Sequence, residues 1–249
     1  MVLGKAYIQA LEEAYPAGTV LRRRFIDGCR GLSVAGTPVY AGYFNRRLHE
    51  NDQLRLNPES ILYEGWDFGH RHPACVWIEF SPIGGLHILG GVMGESMFLE
   101  DFVPIVLQIR QQWCPNPREV KSTGDPAGLA KNSQGTHQRA ADVLKAYGID
   151  IEQHVIPSAN HPDRRNVAIQ SIAGYMRRLT AAGPSFQINP RFLVVGDTYQ
   201  RSTPVLLDGF EAGYVWVDRS VQSSRSPNTR RPKKDGYYDH AENATEYVL

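Results

Sequence analysis

Asp67 closes the short apolar run Ile61-Leu62-Tyr63-Glu64-Gly65-Trp66-Asp67-Phe68-Gly69, and a turn and a second apolar run from Ala74 to Phe80 follow at once. The pattern places a carboxylate on a rigid strand end, beside a glycine that leaves room for a cation and a polyanion. Asp125 in Gly124-Asp125-Pro126-Ala127-Gly128 and Asp239 in Tyr238-Asp239-His240-Ala241-Glu242-Asn243-Ala244 stand at comparable element ends. Carboxylate oxygens suit hard cations such as Mg2+ or Mn2+, and two such ions ~3.5–4 Å apart support in-line displacement at phosphorus. His240, beside Asp239, is a weaker candidate for ligation or proton transfer, with a helix-surface imidazole as the plainer reading. His70 and His72, in the turn after Asp67, are within reach of a phosphate or simply solvated. Each aspartate also has a local reading. Asp67 can open the hairpin turn, Asp125 can bond its own backbone in a turn, and Asp239 can cap a helix with Glu242 as its capping-box partner.

The three aspartates lie far apart in the chain, so only a tertiary fold brings them together. Residues 5–15 have the spacing of a short helix stopped by Pro16, and residues 20–26 can form a strand. From 28 to 57 the chain is rich in Gly, Pro, Arg and Asn without periodicity, so residues 1–57 read as a lead-in or linker and 58–249 as the main domain. Three strands follow closely, at 61–68, 74–80 and 86–92, with Ser81-Pro82-Ile83-Gly84-Gly85 as a turn signal. A helix over 99–113, a strand over 119–123, a helix over 136–147 and a strand over 151–156 come next. The longest helix is predicted over 163–182, on apolar spacing from Val167 to Leu179. Residues 192–199 are apolar and of uncertain type, 206–207 with 213–217 suggest a hairpin, 220–235 a polar loop, and 239–249 a final helix. This order predicts an α/β fold, an RNase H-like mixed sheet of about five strands with flanking helices. Asp67 then sits on the first strand, Asp125 at the end of the adjacent fourth strand and Asp239 at the start of the last helix.

The 249 residues suffice for one substantial core. The net charge of +1 demands no nucleic-acid partner by itself, but its distribution permits one. Arg22-Arg23-Arg24, Arg46-Arg47, Arg164-Arg165, Arg177-Arg178 and the tract Arg230, Arg231, Lys233, Lys234 could line a phosphate backbone or form solvated faces. Three widely spaced cysteines fit neither a disulfide framework nor a zinc pattern. No apolar run approaches the ~20 residues that span a bilayer. A soluble protein of a reducing cytoplasm, without a membrane partner, is expected. Gly4-Lys5-Ala6 lacks the upstream glycine and the Ser/Thr of a P-loop.

The three aspartate motifs, with the terminal Tyr238 to Tyr247 run, resemble the nuclease domain of tailed-phage terminase large subunits. The segments Tyr15 to Arg24 and Tyr40 to His49 resemble the stretch that leaves that family's ATPase domain. The resemblance implies a metal-dependent endonuclease that cuts concatemeric double-stranded viral DNA during genome packaging. It implies Asp67, Asp125 and Asp239 as the catalytic, metal-binding acids for two divalent cations, Mg2+ or Mn2+. Asp67 would bridge both ions. The terminase small subunit and portal protein would be partners, and the host cytoplasm the setting. Many members carry a second acid after the last one, where this chain has His240. Arg230, Arg231, Lys233 and Lys234, just before Asp239, would grip DNA, with His70 as a lesser contact. The competing readings are an RNase H-like resolvase or transposase core, an actin-like or sugar-kinase-type ATP-binding domain, and a non-catalytic DNA-gripping module.

Overall fold

The computed structural model describes residues 36–69, 71–129, 139–152, 164–217 and 231–249. Its centre is the predicted meander: β1 (Ile61–Asp67), β2 (Ala74–Phe80) and β3 (Leu86–Gly94), each antiparallel to the next. Helix α2 (Leu99–Trp113), which follows the short α1 (Arg46–His49), then leads to β4 (Glu119–Gly124), parallel to β1. Helix α3 (Ala140–Ala146) precedes β5 (Ile151–Glu152), parallel to β4. The spatial order β3-β2-β1-β4-β5, with one antiparallel and one parallel half, is the RNase H-like arrangement. The sheet extends past the five expected strands to eight. β8 (Phe186–Ile188) and β9 (Phe192–Gly196) both run parallel to β3, and β10 (Tyr199–Ser202) pairs β9.

Alternation divides the core into two faces. Ala74, Val76 and Ile78 pack on one side with Ile169, Ile172 and Ala173 of α4 (Arg164–Met176) and with Ala241 and Ala244 of α6 (Tyr238–Glu246). Cys75 and Trp77 pack on the other with Phe102, Val103 and Val106 of α2 and Val143 and Leu144 of α3. Glu64 is fully buried on this second face, where it accepts hydrogen bonds from Trp77 Nε1 (3.2 Å), Arg110 Nη1 (3.1 Å) and Ser122 Oγ (2.7 Å). One carboxylate thus ties α2 to three strands. β3 changes parity along its length, because Gly90 at φ 137° makes a bulge opposite Trp77 and Ile78. Leu86 and Ile88 before it, and Met93 after it, face the α6 side, whereas Leu89 and Val92 face α2.

Several sequence expectations change. The helix predicted over 163–182 ends at Met176, and a two-strand hairpin, β6 (Leu179–Thr180) with β7 (Gly183–Pro184), replaces its last turns. Leu179, counted among its apolar positions, is 74% exposed. The hairpin suggested for 206–217 is a short helix, α5 (Val205–Asp208), a π-turn over Gly209–Gly213, and a strand-like bridge at Val215 and Trp216. The described part of the lead-in, 36–57, is built into the domain body. Val39 and Tyr40 belong to the core with Phe210 and Tyr214, Asn51 N donates to Ile188 O, and Asn57 N donates to the buried Glu79 carboxylate. The boundary expected at 57/58 therefore has no structural break. The helix and strand expected within 5–26 lie outside the described residues. No helix among the described residues is long and apolar enough to cross a membrane. Cys75 and Cys114 are buried free thiols.

Candidate active site at the ends of β1 and β4

Two glycines place Asp67. Gly65 lies on the same face of β1, and a Cβ there would fall 1.8 Å from the carbonyl oxygen of Ala244. Helix α6 thus rests directly on the β1 backbone, with Ala241 and Ala244 as its small contact residues. Two positions further along that face, the Asp67 side chain meets the α6 residues on the next turn. Its Oδ1 accepts from Gly69 N–H (3.0 Å) and lies 3.2 Å from His240 Nδ1, and its Oδ2 accepts from Asn243 Nδ2 (3.1 Å). The second glycine, Gly69, makes room for the imidazole: a Cβ there would lie 2.6 Å from His240 Cε1. The space expected beside Asp67 for a cation is held by His240, which corrects the reading of His240 as a solvent-facing imidazole. His72 stands nearby, its ring centre 5.8 Å from that of His240.

Asp125 is one residue past β4, and its N–H donates to Trp66 O (3.2 Å), continuing the parallel ladder that pairs Gly124 with Trp66. The glycines of its motif hold Phe68. Cβ atoms at Gly124 and Gly128 would lie 2.7 and 2.1 Å from the Phe68 ring. Asp67 and Asp125 thus occupy neighbouring strand ends, with the Phe68 ring packed against the Asp125 turn. Tyr247 spans the two: Thr123 Oγ1 donates to its carbonyl (2.9 Å). Burial, then the charges of Asp67 and Asp125, push its phenol far above the ordinary range.

Asp239 lies in the first turn of α6, buried, with Oδ1 accepting from Gly236 N–H (2.8 Å) and Tyr237 N–H (3.1 Å). The capping-box partner is not Glu242. Asp235 Oδ1 accepts the N–H groups of Tyr237 and Asp239 instead, and burial, then the hydrogen bond with Asp239, raises the Asp235 pKa. Glu242 lies against Gly209, fully buried, and among the described residues neither of its oxygens has a hydrogen-bond partner. For His240, burial pulls the pKa down, but the hydrogen bond and charge of Asp67, with Asp239 and Asp235 behind, raise it above the ordinary value.

The structure brings Asp67 and His240 into contact, sets Asp125 on the adjacent strand end, and places Asp239 one residue before His240. Among the described residues, no group of three or more His, Cys, Asp or Glu side chains is already spaced to hold a metal ion. The donor set still suits a hard cation in kind, because the acids supply oxygen ligands. Asp67 is held by a backbone N–H, the Asn243 amide and the His240 imidazole, and Asp239 Oδ1 by two backbone N–H groups. Arg231, Lys233 and Lys234 are described, and their segment is not a free loop. Val217 N donates to Arg231 O and Lys233 N to Val215 O, pinning the strip that leads to α6. Arg230 and His70 lie outside the described residues.

Asn243 and Glu246 were not singled out in the sequence. Asn243 was findable, since it falls four residues after Asp239 and three after His240, on the same helical face. Glu246 is buried and accepts from Tyr214 Oη (2.9 Å) and Arg165 Nε (3.1 Å). Burial, with the charge of Asp67 adding to it, pushes its pKa up to about 7 against the pull of Arg165 and Tyr214. Between the ordinary 4.5 and about 7 the folded state therefore keeps a proton that the unfolded chain has released. Stability should fall across that window as pH rises, by at most ~3 kcal/mol from this group. Urea midpoints compared at acidic and neutral pH should show the fall in the wild type and a flatter profile in Glu246→Gln. Parallel profiles would remove Glu246 as its source.

Neither a protein-family profile nor a curated relative matches the sequence. Solved structures do. The large terminase from a thermophilic bacteriophage, in one crystal form, is similar over 98% of this chain and 50% of its own, at 13% identity and a TM-score of 0.57. In another crystal form of the same terminase the figures are 99%, 52%, 14% and 0.57. The large terminase (g2p) nuclease domain from the bacteriophage SPP1, with bound Mn, is similar over 81% of this chain and 94% of its own, at 15% identity and a TM-score of 0.49. At such identities the likeness is one of fold. The chain spans about half the length of the thermophilic-phage terminase chains that it matches.

Proposed function

We propose that the protein is a metal-dependent endonuclease that hydrolyses phosphodiester bonds of double-stranded DNA, with Asp67, Asp125 and Asp239 as its metal-binding acids. The observation that supports this reading is that the elements carrying the three acids meet at one end of the sheet. Asp67 and Asp125 end adjacent parallel strands, and α6, which carries Asp239, is anchored on Asp67 through His240 and Asn243. An RNase H-like sheet with acids at these ends suits hydrolysis at phosphorus, and the terminase-like motifs supply the substrate class.

Divalent ions held by these acids would supply Lewis acidity and a nucleophilic water at neutral pH. The protein's own groups do the rest. Gly69 N–H and Asn243 Nδ2 orient the Asp67 carboxylate, so that its oxygens need little reorganisation to meet a ligand. Asn243 is thus a positioning residue. His240, held with its pKa raised beside Asp67, stands where the second acid of many terminase nucleases falls, and can carry a proton there. Arg231, Lys233 and Lys234 would contact phosphates without reading sequence. Within a packaging motor the partners would be the terminase small subunit and portal protein, in the host cytoplasm.

Supercoiled plasmid incubated with the protein tests the reading. With Mn2+ or Mg2+ it should be nicked and linearised, with chelator it should stay intact, and cutting at sub-saturating protein should weaken by ~40-fold between ~50 and ~200 mM salt if Arg231, Lys233 and Lys234 each grip a phosphate. Cutting that persists in chelator, or none with either ion, would refute it. A marked preference for four-way junctions over linear duplex would move the substrate to that of a resolvase.

A further inference from the structure

A cationic site lies beside the β9–β10 edge of the sheet. A cavity of about 460 Å³ is lined by Arg46, Asp52, Arg55, Asn189, Arg191 and Ser202, among others. Arg191 precedes β9, whose opposite end aligns with Gly94 and so with the Asp67 end of the sheet. Strand spacing of ~4.8 Å and a rise of ~3.3 Å per residue put Arg191 roughly 17 Å from Asp67. The cavity does not adjoin the carboxylates.

Its arginines are held in different ways. Arg46 is saturated with acids, meeting Glu50 (2.7 Å), Glu211 (3.2 Å) and Asp208 (3.4 Å). Arg55 and Arg191 have no carboxylate within ion-pair distance among the described residues, and neutral carbonyls fix both. Arg55 Nη1 donates to Asp52 O and Leu54 O, each at 2.8 Å. Arg191 Nε donates to Leu89 O (2.6 Å) and Nη2 to Trp113 O (3.1 Å), with the guanidinium over the Trp113 ring. The Leu89 carbonyl belongs to the bulge made by Gly90, where a Cβ would lie 2.8 Å from Arg191 O. Buried Asn189 joins the halves: its Oδ1 accepts from Arg191 N–H (3.0 Å), and its Nδ2 donates to Asp52 O and Leu54 O (both 3.1 Å). Burial first, and then the like charge of Arg55, lower the Arg191 pKa.

Two guanidiniums held near one another against their repulsion, by carbonyls that leave donors unspent, form an anion receptor. We propose that this cavity is a phosphate-binding site, in which Arg55 and Arg191 supply the charged donors and Asn189 sets their spacing. The ligand is a phosphate group, either of a nucleic-acid backbone or of a free nucleotide. Arg46, already neutralised, shapes the wall. The assignment stands on its own and does not depend on the nuclease reading.

The full chain should be titrated with inorganic phosphate while the arginine Nε–Hε signals are followed by NMR, against sodium chloride at matched ionic strength. Signals of Arg55 and Arg191 should shift saturably with phosphate only. Arg55 is exposed and its side chain ties down only its own loop, so Arg55→Gln keeps the fold, checked by its unfolding midpoint, and should weaken binding about tenfold. Competition by short duplex DNA identifies a backbone phosphate, and competition by ADP a free nucleotide. Shifts reproduced by chloride, an unchanged Kd in Arg55→Gln, or competition by neither ligand would overturn the site.

Discussion

Asp67→Asn should abolish metal-dependent cleavage, by about 10^3-fold or more, in a protein that still folds. A thousandfold loss corresponds to ~4 kcal/mol of transition-state stabilisation, the order expected when a carboxylate ligand of a catalytic ion becomes a neutral amide. The fold should survive because the surroundings can re-pair. An amide oxygen in place of Oδ1 keeps the Gly69 N–H bond. The amide NH2 then faces Asn243, whose Oδ1 is buried without a partner among the described residues; turning the Asn243 amide over presents that oxygen to it and leaves the Asn243 NH2 as the unpartnered atom instead, so the count of orphaned groups is unchanged. Net destabilisation should stay within ~1 kcal/mol, the usual scale of one hydrogen bond. A second readout separates loss of chemistry from loss of structure: without the Asp67 charge, the His240 pKa should drop below its wild-type value in an NMR titration. Near-normal plasmid cutting by a folded Asp67→Asn would remove Asp67 from the chemistry and the endonuclease reading with it.

The strand end that carries Asp67 was legible because β1 to β3 are apolar runs separated by turn residues, and local pattern decides such elements. Asp125 and Asp239 were legible for the same reason, each lying beside an element end. What met them was not. The pairing of His240 and Asn243 with Asp67 depends on how closely α6 approaches β1, and that distance is set by one missing Cβ at Gly65, a tertiary fact without a periodic signature. Gly69 and Gly128 invite a reading as flexible turn residues, yet their φ angles are not positive. Their role is to admit the His240 and Phe68 rings.

Elsewhere local pattern pointed the wrong way. The 3.6-residue spacing ran through Leu179, but the exposed Leu179 belongs to the β6–β7 hairpin, so the periodicity there was coincidental. The strands β8 to β10 span only three to five residues each, too few for alternation to show, and their links to β3, direct or through β9, are non-local. Val39 and Tyr40 sit in a Gly- and Pro-rich stretch that looks like linker. They are core residues because the Phe210 and Tyr214 surfaces wait for them more than 150 residues downstream.

The second large effect follows from Gly65. In Gly65→Ala the new methyl would lie 1.8 Å from Ala244 O, 2.8 Å from its carbonyl carbon and 2.9 Å from Val248 Cγ2. The first two are backbone atoms of α6 and cannot swing aside as a side chain would, so the helix must retreat by more than an ångström or the strand must bend. Overpacking of this kind should cost about 3 kcal/mol, a large share of a domain's typical ~5–15 kcal/mol. The same retreat pulls His240 and Asn243 off Asp67, so cleavage and the raised His240 pKa should be lost together even at temperatures where the variant is folded. Gly174→Ala gives the contrast, because a Cβ at that position in α4 meets nothing within 4 Å; helix propensity predicts a gain of up to ~1 kcal/mol. Opposite signs for the two substitutions in urea unfolding would show that close approach, rather than the loss of a glycine as such, is what holds the carboxylate end of the sheet together. A Gly65→Ala protein with wild-type stability and an unshifted His240 would mean that α6 does not rest on β1 in this way, and that the acids are assembled by something else.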